Sequence, residues 1–168
     1  MYGYAGKILD VNLTTGEIAR LDLDEQDCRD YLGGSGLAAK IYLDRWPGDV
    51  DPLSPENPLI LMTGPWTGTM VPGGNRFAAC ARSPLTGHWG EASCGGYWGP
   101  ELKAAGYDGI IFTGAADKQV YLWINGDDVE MRPAEDLWGK DTYQTADILV
   151  ERLKEETGKK AKVAAIGH

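Results

Sequence analysis

Glycine is concentrated in one stretch of this chain, residues 73–109, which contains nine glycines and little strand or helix pattern before its end. Glycine backbone is costly to order, and it is used where φ must be positive or where a ligand must approach the backbone closely. The stretch therefore predicts either a ligand-binding loop or a set of tight turns in a compact core. Composition alone leaves both interpretations open.

A helix is predicted at the end of this stretch. Residues 93–106 begin as a Ser-Cys-Gly-Gly loop, Pro100 suits an early helical position, and Gly106 suits the helix end. Unpaired N–H groups at a helix N-terminus attract phosphate, which favours a phosphate-binding loop. The spacing matches neither the GxxxxGK(S/T) pattern nor the GxGxxG pattern of nucleotide-binding sites.

Arg76 precedes a segment that could form a buried strand, and we expect its side chain to be buried as well. A buried guanidinium needs an anionic or carbonyl partner, and its planar fork fits phosphate. An internal ion pair with one of the 25 acidic residues is the alternative. Arg82 is interpreted as a surface base and Glu91 as structural, while His88 and His168 are too isolated to indicate a metal site.

The composition limits the classes of function. With 168 residues, of which 43% are hydrophobic and 10% aromatic, the chain is predicted to form one packed domain. Its net charge of −9 argues against nucleic acid as a partner, because no basic stripe is available to displace counterions from phosphates. No apolar run approaches the ~20 residues that cross a bilayer, and the N-terminus has no signal-peptide pattern. The three cysteines form no CxxC pair, which predicts free thiols in a reducing, cytoplasmic compartment.

Two parts of the chain share one order of predicted elements. A β-hairpin, a helical sequence and an apolar strand running into glycine occur between Gly16 and Gly64 and again between Gly126 and Gly167. This order predicts a duplication whose second copy is truncated, with chance β–α alternation as the alternative. The predicted elements are a hairpin at 7–23, helices at 25–31 and 35–45, a strand at 59–64, a hairpin at 119–133, a helix within 141–158 and a strand at 162–168.

Five long motifs occur in order along the chain: GYAGKILDVNLTTGEI, YLGGSGLAAKIYLD, PLILMTGPWTGT, GGNRFAACARSPLTGHWGEASCGGYWGPELKAAGYDGIIFTG and AAIG. Together they resemble the N-terminal domain of the tungsten-containing aldehyde:ferredoxin oxidoreductase family. The resemblance extends from Tyr2 to Gly167, which is essentially the whole chain. It implies that the glycine-rich stretch forms part of the base on which a bis-pterin cofactor rests.

The resemblance also implies a cofactor set and a set of site residues. In that family two pterin dithiolenes chelate tungsten, or sometimes molybdenum, a magnesium ion links their phosphates, and a 4Fe-4S cluster passes electrons to ferredoxin. By the resemblance, Arg76 corresponds to an arginine that bridges pterin and cluster. Ser93 stands where Asn is frequent and where the backbone carbonyl contributes to the magnesium site. Cys94 and Gly95 continue this loop and are expected to offer backbone groups to the phosphate end, while none of the three cysteines matches the cluster ligands.

The implied domain is residues 1–168, an N-terminal pterin-cofactor platform domain of a larger enzyme. Its expected fold is α+β, with two intertwined hairpin–helix–strand repeats that form β-sheets with a few helices. The implied reaction oxidises aldehydes to carboxylates with ferredoxin as electron acceptor. Reduction of a carboxylate or aryl thioester on the same cofactor is one alternative, and a free-standing, non-catalytic binding or scaffold module is another. The 168-residue chain alone is expected to be inactive and to dimerise, to aggregate or to leave its last residues poorly ordered.

Overall fold

The backbone is organised around a six-stranded mixed β-sheet, and the computed structural model describes residues 2–166. A separate two-stranded sheet and four helices complete the described part of the chain. The strands of the large sheet are β1 (Lys7–Asn12), β2 (Ile18–Asp22), β3 (Leu59–Thr63), β4 (Phe77–Arg82), β5 (Trp89–Cys94) and β6 (Gly109–Thr113), and the small sheet has β7 (Val120–Asn125) and β8 (Asp128–Pro133). The helices are α1 (Glu25–Tyr31), α2 (Gly34–Arg45), α3 (Trp98–Ala104) and α4 (Thr142–Thr157).

The large sheet has the strand order β2-β1-β6-β3-β4-β5. Strands β1 and β6 run parallel, with Ile8 opposite Gly109, and the other neighbouring strands of this sheet are antiparallel. A Cβ atom at Gly109 would lie 2.7 Å from the Leu61 carbonyl oxygen and 2.8 Å from the Met62 sulfur. The close approach of β6 to β3 therefore requires a residue without a side chain at this position.

One face of the large sheet, which we call the helix face, packs against α1 and α2. Its core includes Ile60 and Met62 of β3 and Ile111 of β6, which are fully buried against Leu37 and Ala38 of α2. These positions follow from the period of two in a strand, because alternate apolar residues point to the same face. The helix face is therefore the larger continuous core of the described chain.

The opposite face, which we call the hairpin face, packs against α3 and the β7–β8 hairpin. Leu9, Val11 and Ile110 are buried there with Leu102 of α3 and Tyr107. Apolar side chains of β7 and β8, including Leu122 and Met131, pack against this cluster from outside. The sequence prediction of a hairpin at 119–133 is confirmed, and its two-residue turn begins at Gly126, whose φ is +63°.

Helix α4 has strong signals at both ends. Its N-cap Asp141 accepts a hydrogen bond from the Gln144 backbone N–H at 2.8 Å, and the Gln144 side chain accepts one from the Asp141 backbone, which forms a capping box. Gly158 ends the helix with φ +71°. Leu149 and Leu153 are buried on one face of the helix, as the sequence spacing indicates.

The predicted α+β class is confirmed, but the predicted repeat is not. Hairpin β1–β2 belongs to the large sheet and is followed by two helices, whereas β7–β8 forms its own sheet and is followed by α4 alone. The strand expected at 162–168 is wrong for residues 162–166, which form no strand. A strand needs a neighbour with which to pair, and Val163 instead packs against the small cluster that contains Leu149. The remainder of this prediction, at Gly167 and His168, lies outside the described residues.

No helix within residues 2–166 is both long enough and apolar enough to cross a membrane. Strands β2 and β5 lie at the two edges of the large sheet. An open edge presents backbone groups that can pair with another chain. The expected self-association of the chain therefore stays a prediction.

Candidate cofactor-binding surface

The β4–β5 hairpin brings together the two side chains that the resemblance singles out. Arg76 immediately precedes β4, and Ser93 is the penultimate residue of β5, where it lies opposite Ala78. Strand β5 was not predicted, because its sequence has no clear alternation of apolar and polar residues. In the structure its last four residues are all exposed. Ser93 and Cys94 are thus strand residues rather than loop residues.

The Arg76 guanidinium donates a hydrogen bond to the Ser93 hydroxyl at 3.0 Å, and both side chains are exposed. The expectation that Arg76 is buried is therefore wrong. Successive strand residues point to opposite faces, so the burial of Phe77 directs Arg76 toward the other face, where Ser93 lies. No ion pair within residues 2–166 includes Arg76.

Arg82, interpreted from sequence as a surface base, is the more enclosed of the two arginines. Its side chain is 21% exposed and forms an ion pair with Asp49. It also donates hydrogen bonds to the carbonyl oxygens of Gly87 and Val50, each at 2.8 Å. Arg82 thus fastens the turn between β4 and β5 to the loop before β3, and its donors are occupied by the protein itself.

Two glycines follow β5 and leave their backbone accessible. A Cβ atom built on Gly95 would meet nothing within 4 Å, and the residue is exposed. Gly96 has φ +93°, a conformation that residues with a side chain rarely adopt. The Cys94 thiol is exposed and lies 3.5 Å from the Gly95 carbonyl oxygen. We call Arg76, Ser93, Gly95 and Gly96 together the Arg76–Ser93 surface.

Helix α3 starts two residues beyond Gly96 and packs beneath this surface. The rings of Phe77 and Trp98 have centroids 4.7 Å apart. A Cβ atom on Gly99 would lie 3.3 Å from the Thr67 methyl group, so α3 approaches the loop before β4 closely. The predicted helix is confirmed, with Pro100 in its first turn and Gly106 after its end. The phosphate site proposed for this region stays a prediction.

The loop from Gly64 to Arg76 is closed by two hydrogen bonds. The Thr67 hydroxyl donates to the Arg76 carbonyl oxygen at 2.8 Å, and the Gly68 backbone N–H donates to the Asn75 side-chain oxygen at 3.0 Å. Thr67 is only 2% exposed although it lies in a loop. Thr67 was not predicted from sequence, because a single threonine in a loop is not a recognisable pattern.

A buried ion pair, also missed from sequence, lies below the same loop. The Lys103 ammonium group lies 3.4 Å from the nearer carboxylate oxygen of Asp108, and the two side chains are 11% and 2% exposed. Burial lowers the pKa of Lys103, while the adjacent Asp108 carboxylate opposes that effect. The pair joins the end of α3 to the start of β6, which the sequence separates by a glycine turn.

A large cleft opens on the hairpin face of the sheet. Its volume is about 1290 Å³, and Phe77 and Ala79 of β4 form part of its wall. The facing walls come from the β7–β8 hairpin, from α4 and from residues 159–166. Because Arg76 reaches toward Ser93 on the other side of β4, this cleft is distinct from the Arg76–Ser93 surface.

The Arg76–Ser93 surface has the chemistry of an anion-binding site. An exposed guanidinium and accessible glycine N–H groups donate to phosphate oxygens, and backbone carbonyls of an edge strand are ligands that magnesium accepts. Among residues 2–166 there is no group of three or more His, Cys, Asp or Glu side chains that could hold a metal ion. Cys28 and Cys80 are buried and Cys94 is exposed, and three cysteines are fewer than the four thiolates of a 4Fe-4S cluster, so the described residues offer no complete set of ligands.

Comparison with known families identifies the chain. The family model "Aldehyde ferredoxin oxidoreductase, N-terminal domain" matches residues 8–168. A tungsten-containing aldehyde ferredoxin oxidoreductase of Pyrococcus abyssi is 46% identical over 168 residues, and one of Pyrococcus furiosus is 44% identical over 167 residues. Each alignment covers 99% of this chain and 27% of the relative, so the chain spans just over a quarter of the length of these proteins.

A solved structure has the same fold. The active site complex of benzoyl coenzyme A reductase, determined with 1,5-dienoyl-CoA, matches with a TM-score of 0.89 and 46% sequence identity. The match covers 93% of this chain and 24% of that chain. The same domain is thus present in proteins named for two different reactions.

Proposed function

The chain belongs to the aldehyde ferredoxin oxidoreductase family, and we propose that it is the N-terminal domain that supports a tungsten pterin cofactor in a larger oxidoreductase. Molybdenum is the alternative metal. Family membership is the evidence for the type of cofactor. The Arg76–Ser93 surface is the evidence for where this domain would contact the cofactor.

The observation that carries the proposal is an exposed arginine beside accessible glycine backbone. A guanidinium has five N–H donors, and Arg76 uses its side chain for one hydrogen bond, to Ser93, within the described residues. The remaining donors suit a planar or phosphate acceptor. Arg82 is not available to a phosphate ligand in this way, because its three guanidinium nitrogens contact protein oxygens.

Arg76, Ser93 and Gly95 of this surface, together with the adjacent Cys94, have proposed parts. Arg76 makes a charge-assisted contact with the cofactor, and the Ser93 hydroxyl orients the guanidinium. The Ser93 carbonyl oxygen contributes a magnesium ligand, and Cys94 and Gly95 offer backbone groups to the phosphate end. Replacement of the frequent Asn by Ser at position 93 does not affect a contact that is made through the backbone.

The reaction that we propose first is oxidation of aldehydes to carboxylates. When bound, the cofactor would supply the two-electron chemistry, and a 4Fe-4S cluster with ligands outside this chain would connect it to ferredoxin. The residues of this chain bind and orient the cofactor with preorganised donors, which need little rearrangement when charge changes at the metal. The small aldehyde and the ferredoxin are partners of the larger protein.

A second reaction class is favoured by the structural match to benzoyl coenzyme A reductase. That match has the same identity, 46%, as the alignment with the Pyrococcus abyssi relative. Reduction of a carboxylate or an aryl thioester on the same cofactor is therefore the alternative. Assay of the full-length protein with an aldehyde and an oxidised viologen, and with an aryl-CoA thioester and a reduced viologen, distinguishes the two.

Elemental and pterin analysis of the full-length protein, purified anaerobically, tests the proposal. We expect tungsten or molybdenum with about two pterins per metal. A folded full-length protein without metal and pterin contradicts the proposal and favours a non-catalytic scaffold module.

A further inference from the structure

Lys103 places its ammonium group among oxygen atoms from separate parts of the chain. It donates hydrogen bonds to the carbonyl oxygens of Gly3 at 2.6 Å and of Gly64 at 2.5 Å. The carboxylate of Asp108 completes this arrangement at 3.4 Å, and the ring of Tyr4 lies 5.5 Å away. Two of the three donors of the ammonium group thus form hydrogen bonds with carbonyl oxygens, and the carboxylate balances its charge.

Asp108 has little other compensation for its buried charge. One carboxylate oxygen accepts a hydrogen bond from the Gly6 backbone N–H at 2.6 Å. The other oxygen, which lies 3.4 Å from the Lys103 ammonium group, is buried and accepts no hydrogen bond within residues 2–166, so the ion pair is its compensation. Removal of one partner of a buried ion pair leaves an uncompensated charge, so Lys103 and Asp108 depend on each other for their positions.

A continuous path of hydrogen bonds leads from Lys103 to Arg76. The Gly64 carbonyl oxygen, which Lys103 holds, also accepts from the Thr67 backbone N–H at 3.1 Å. The Gly64 backbone N–H donates to the Thr67 hydroxyl oxygen at 3.1 Å, and that hydroxyl donates to the Arg76 carbonyl oxygen at 2.8 Å. Thr67 therefore uses its hydroxyl as acceptor on one side and as donor on the other, and it is almost fully buried.

We propose that Lys103, with Asp108, is a positioning residue for Arg76 and acts through Gly64 and Thr67. The ammonium group fixes the Gly64 carbonyl, the Thr67 hydroxyl transmits this position to the Arg76 backbone, and the guanidinium is thereby held beside Ser93. The role in cofactor retention rests on the proposed function. The link between Lys103 and the Arg76 side chain does not.

Two variants interrupt the path at different points. Lys103→Met removes the ammonium group and keeps an unbranched side chain. Thr67→Val keeps the volume of the side chain and the Lys103–Asp108 pair, but removes the hydroxyl that joins Gly64 to Arg76. Lys118→Met is the matched control, because Lys118 is exposed and lies outside this path.

NMR spectra of the 168-residue chain test whether Lys103 and Thr67 position the Arg76 side chain. We expect the Arg76 side-chain N–H signal and the Ser93 amide signal to shift in both Lys103→Met and Thr67→Val, and to stay at their wild-type positions in Lys118→Met. A folded Thr67→Val chain with unchanged Arg76 and Ser93 signals overturns the proposal. This measurement remains decisive if Lys103→Met fails to fold.

Tungsten content of the full-length protein after gel filtration tests whether this positioning affects cofactor retention. We expect at least a threefold loss in Thr67→Val and no loss in Lys118→Met, with Arg76→Ala as the reference for a lost contact. Wild-type tungsten content in Thr67→Val, together with depletion in Arg76→Ala, overturns the positioning role. Wild-type content in Arg76→Ala instead contradicts the proposed contact of Arg76 with the cofactor, and the NMR measurement then decides the path on its own.

Discussion

Arg76 and Ser93, which are 17 residues apart in sequence, are joined by a 3.0 Å hydrogen bond across the β4–β5 hairpin. The bond leaves most donors of the guanidinium free among the described residues and turns them toward solvent. A neutral partner such as Ser93 orients an arginine without neutralising it, whereas an acidic partner would compete with an anionic ligand. This relationship is the structural basis for the proposed cofactor contact.

The conformation of Gly96 gives a first prediction. Gly96→Ala places a side chain at φ +93°, which we expect to lower the free energy of unfolding by roughly 1–2 kcal/mol. Gly95→Ala is the control, because its Cβ atom would meet nothing within 4 Å. Urea denaturation of the 168-residue chain measures both values. Equal stability of the two variants would show that the turn tolerates a side chain at position 96.

The buried thiol of Cys80 gives a second prediction, on pH dependence. Burial raises the pKa of Cys80 to about 11, and the Glu91 carboxylate adds to this effect. A pKa that is higher in the folded state stabilises the fold below the unfolded pKa of about 9, and this contribution is lost as the pH rises through 11. We expect Cys80→Ala to have a smaller loss of stability between pH 9 and 11 than the wild-type protein.

Cys94→Ala is the control for this experiment, because Cys94 is exposed. It should lose stability with rising pH as the wild-type protein does. If Cys80→Ala and Cys94→Ala have the same pH profile as the wild-type protein, ionisation of Cys80 does not contribute to alkaline unfolding. Cys28 and Tyr4, whose pKa values burial also raises, are expected to contribute to the slope that remains in Cys80→Ala.

A third prediction concerns activity of the domain alone. The 168-residue chain should not oxidise aldehydes with a viologen acceptor, because residues 2–166 hold no cluster of metal-ligating side chains and the curated relatives are almost four times as long. The assay includes the full-length protein as the positive control. Turnover by the reconstituted 168-residue chain would mean that this domain holds a complete catalytic centre.

The sequence predicted elements whose signals are local. The apolar face of α4, the glycine at its end and the turn at Gly126 each depend on a few adjacent residues, and all three are present. The exposure of Arg76 was not predictable, because it depends on which elements cover the end of β4. The strand expected at 162–168 does not form within residues 162–166 for a related reason, since an apolar sequence forms a strand only beside another strand.

The parts of the candidate site that were missed depend on tertiary contacts. Lys103 and Asp108 are unremarkable in sequence, and their burial follows from the packing of α3 against the N-terminal loop that contains Gly3 and Gly6. Thr67 becomes important only because the chain returns to it at Arg76. The resemblance to a known family supplied Arg76 and Ser93, and the structure supplied the contact between them.

The proposed contact of Arg76 with the cofactor is tested with three variants of the full-length protein. Arg76→Ala removes a charge-assisted hydrogen bond, Arg76→Lys keeps the charge without the planar fork, and Arg29→Ala is the control, because that exposed arginine pairs with Glu25 on α1. Loss of a charge-assisted contact corresponds to about 1.5–3 kcal/mol, which is roughly a 10- to 100-fold weaker retention. Lys is expected to give an intermediate result.

The most direct measurement is the tungsten content per polypeptide of these proteins after anaerobic purification and gel filtration. The account predicts full content in the wild-type protein and Arg29→Ala, partial content in Arg76→Lys, and strong depletion in a folded Arg76→Ala variant. Wild-type tungsten content in Arg76→Ala, with an unchanged rate of viologen reduction, would contradict the assignment of the Arg76–Ser93 surface to the cofactor.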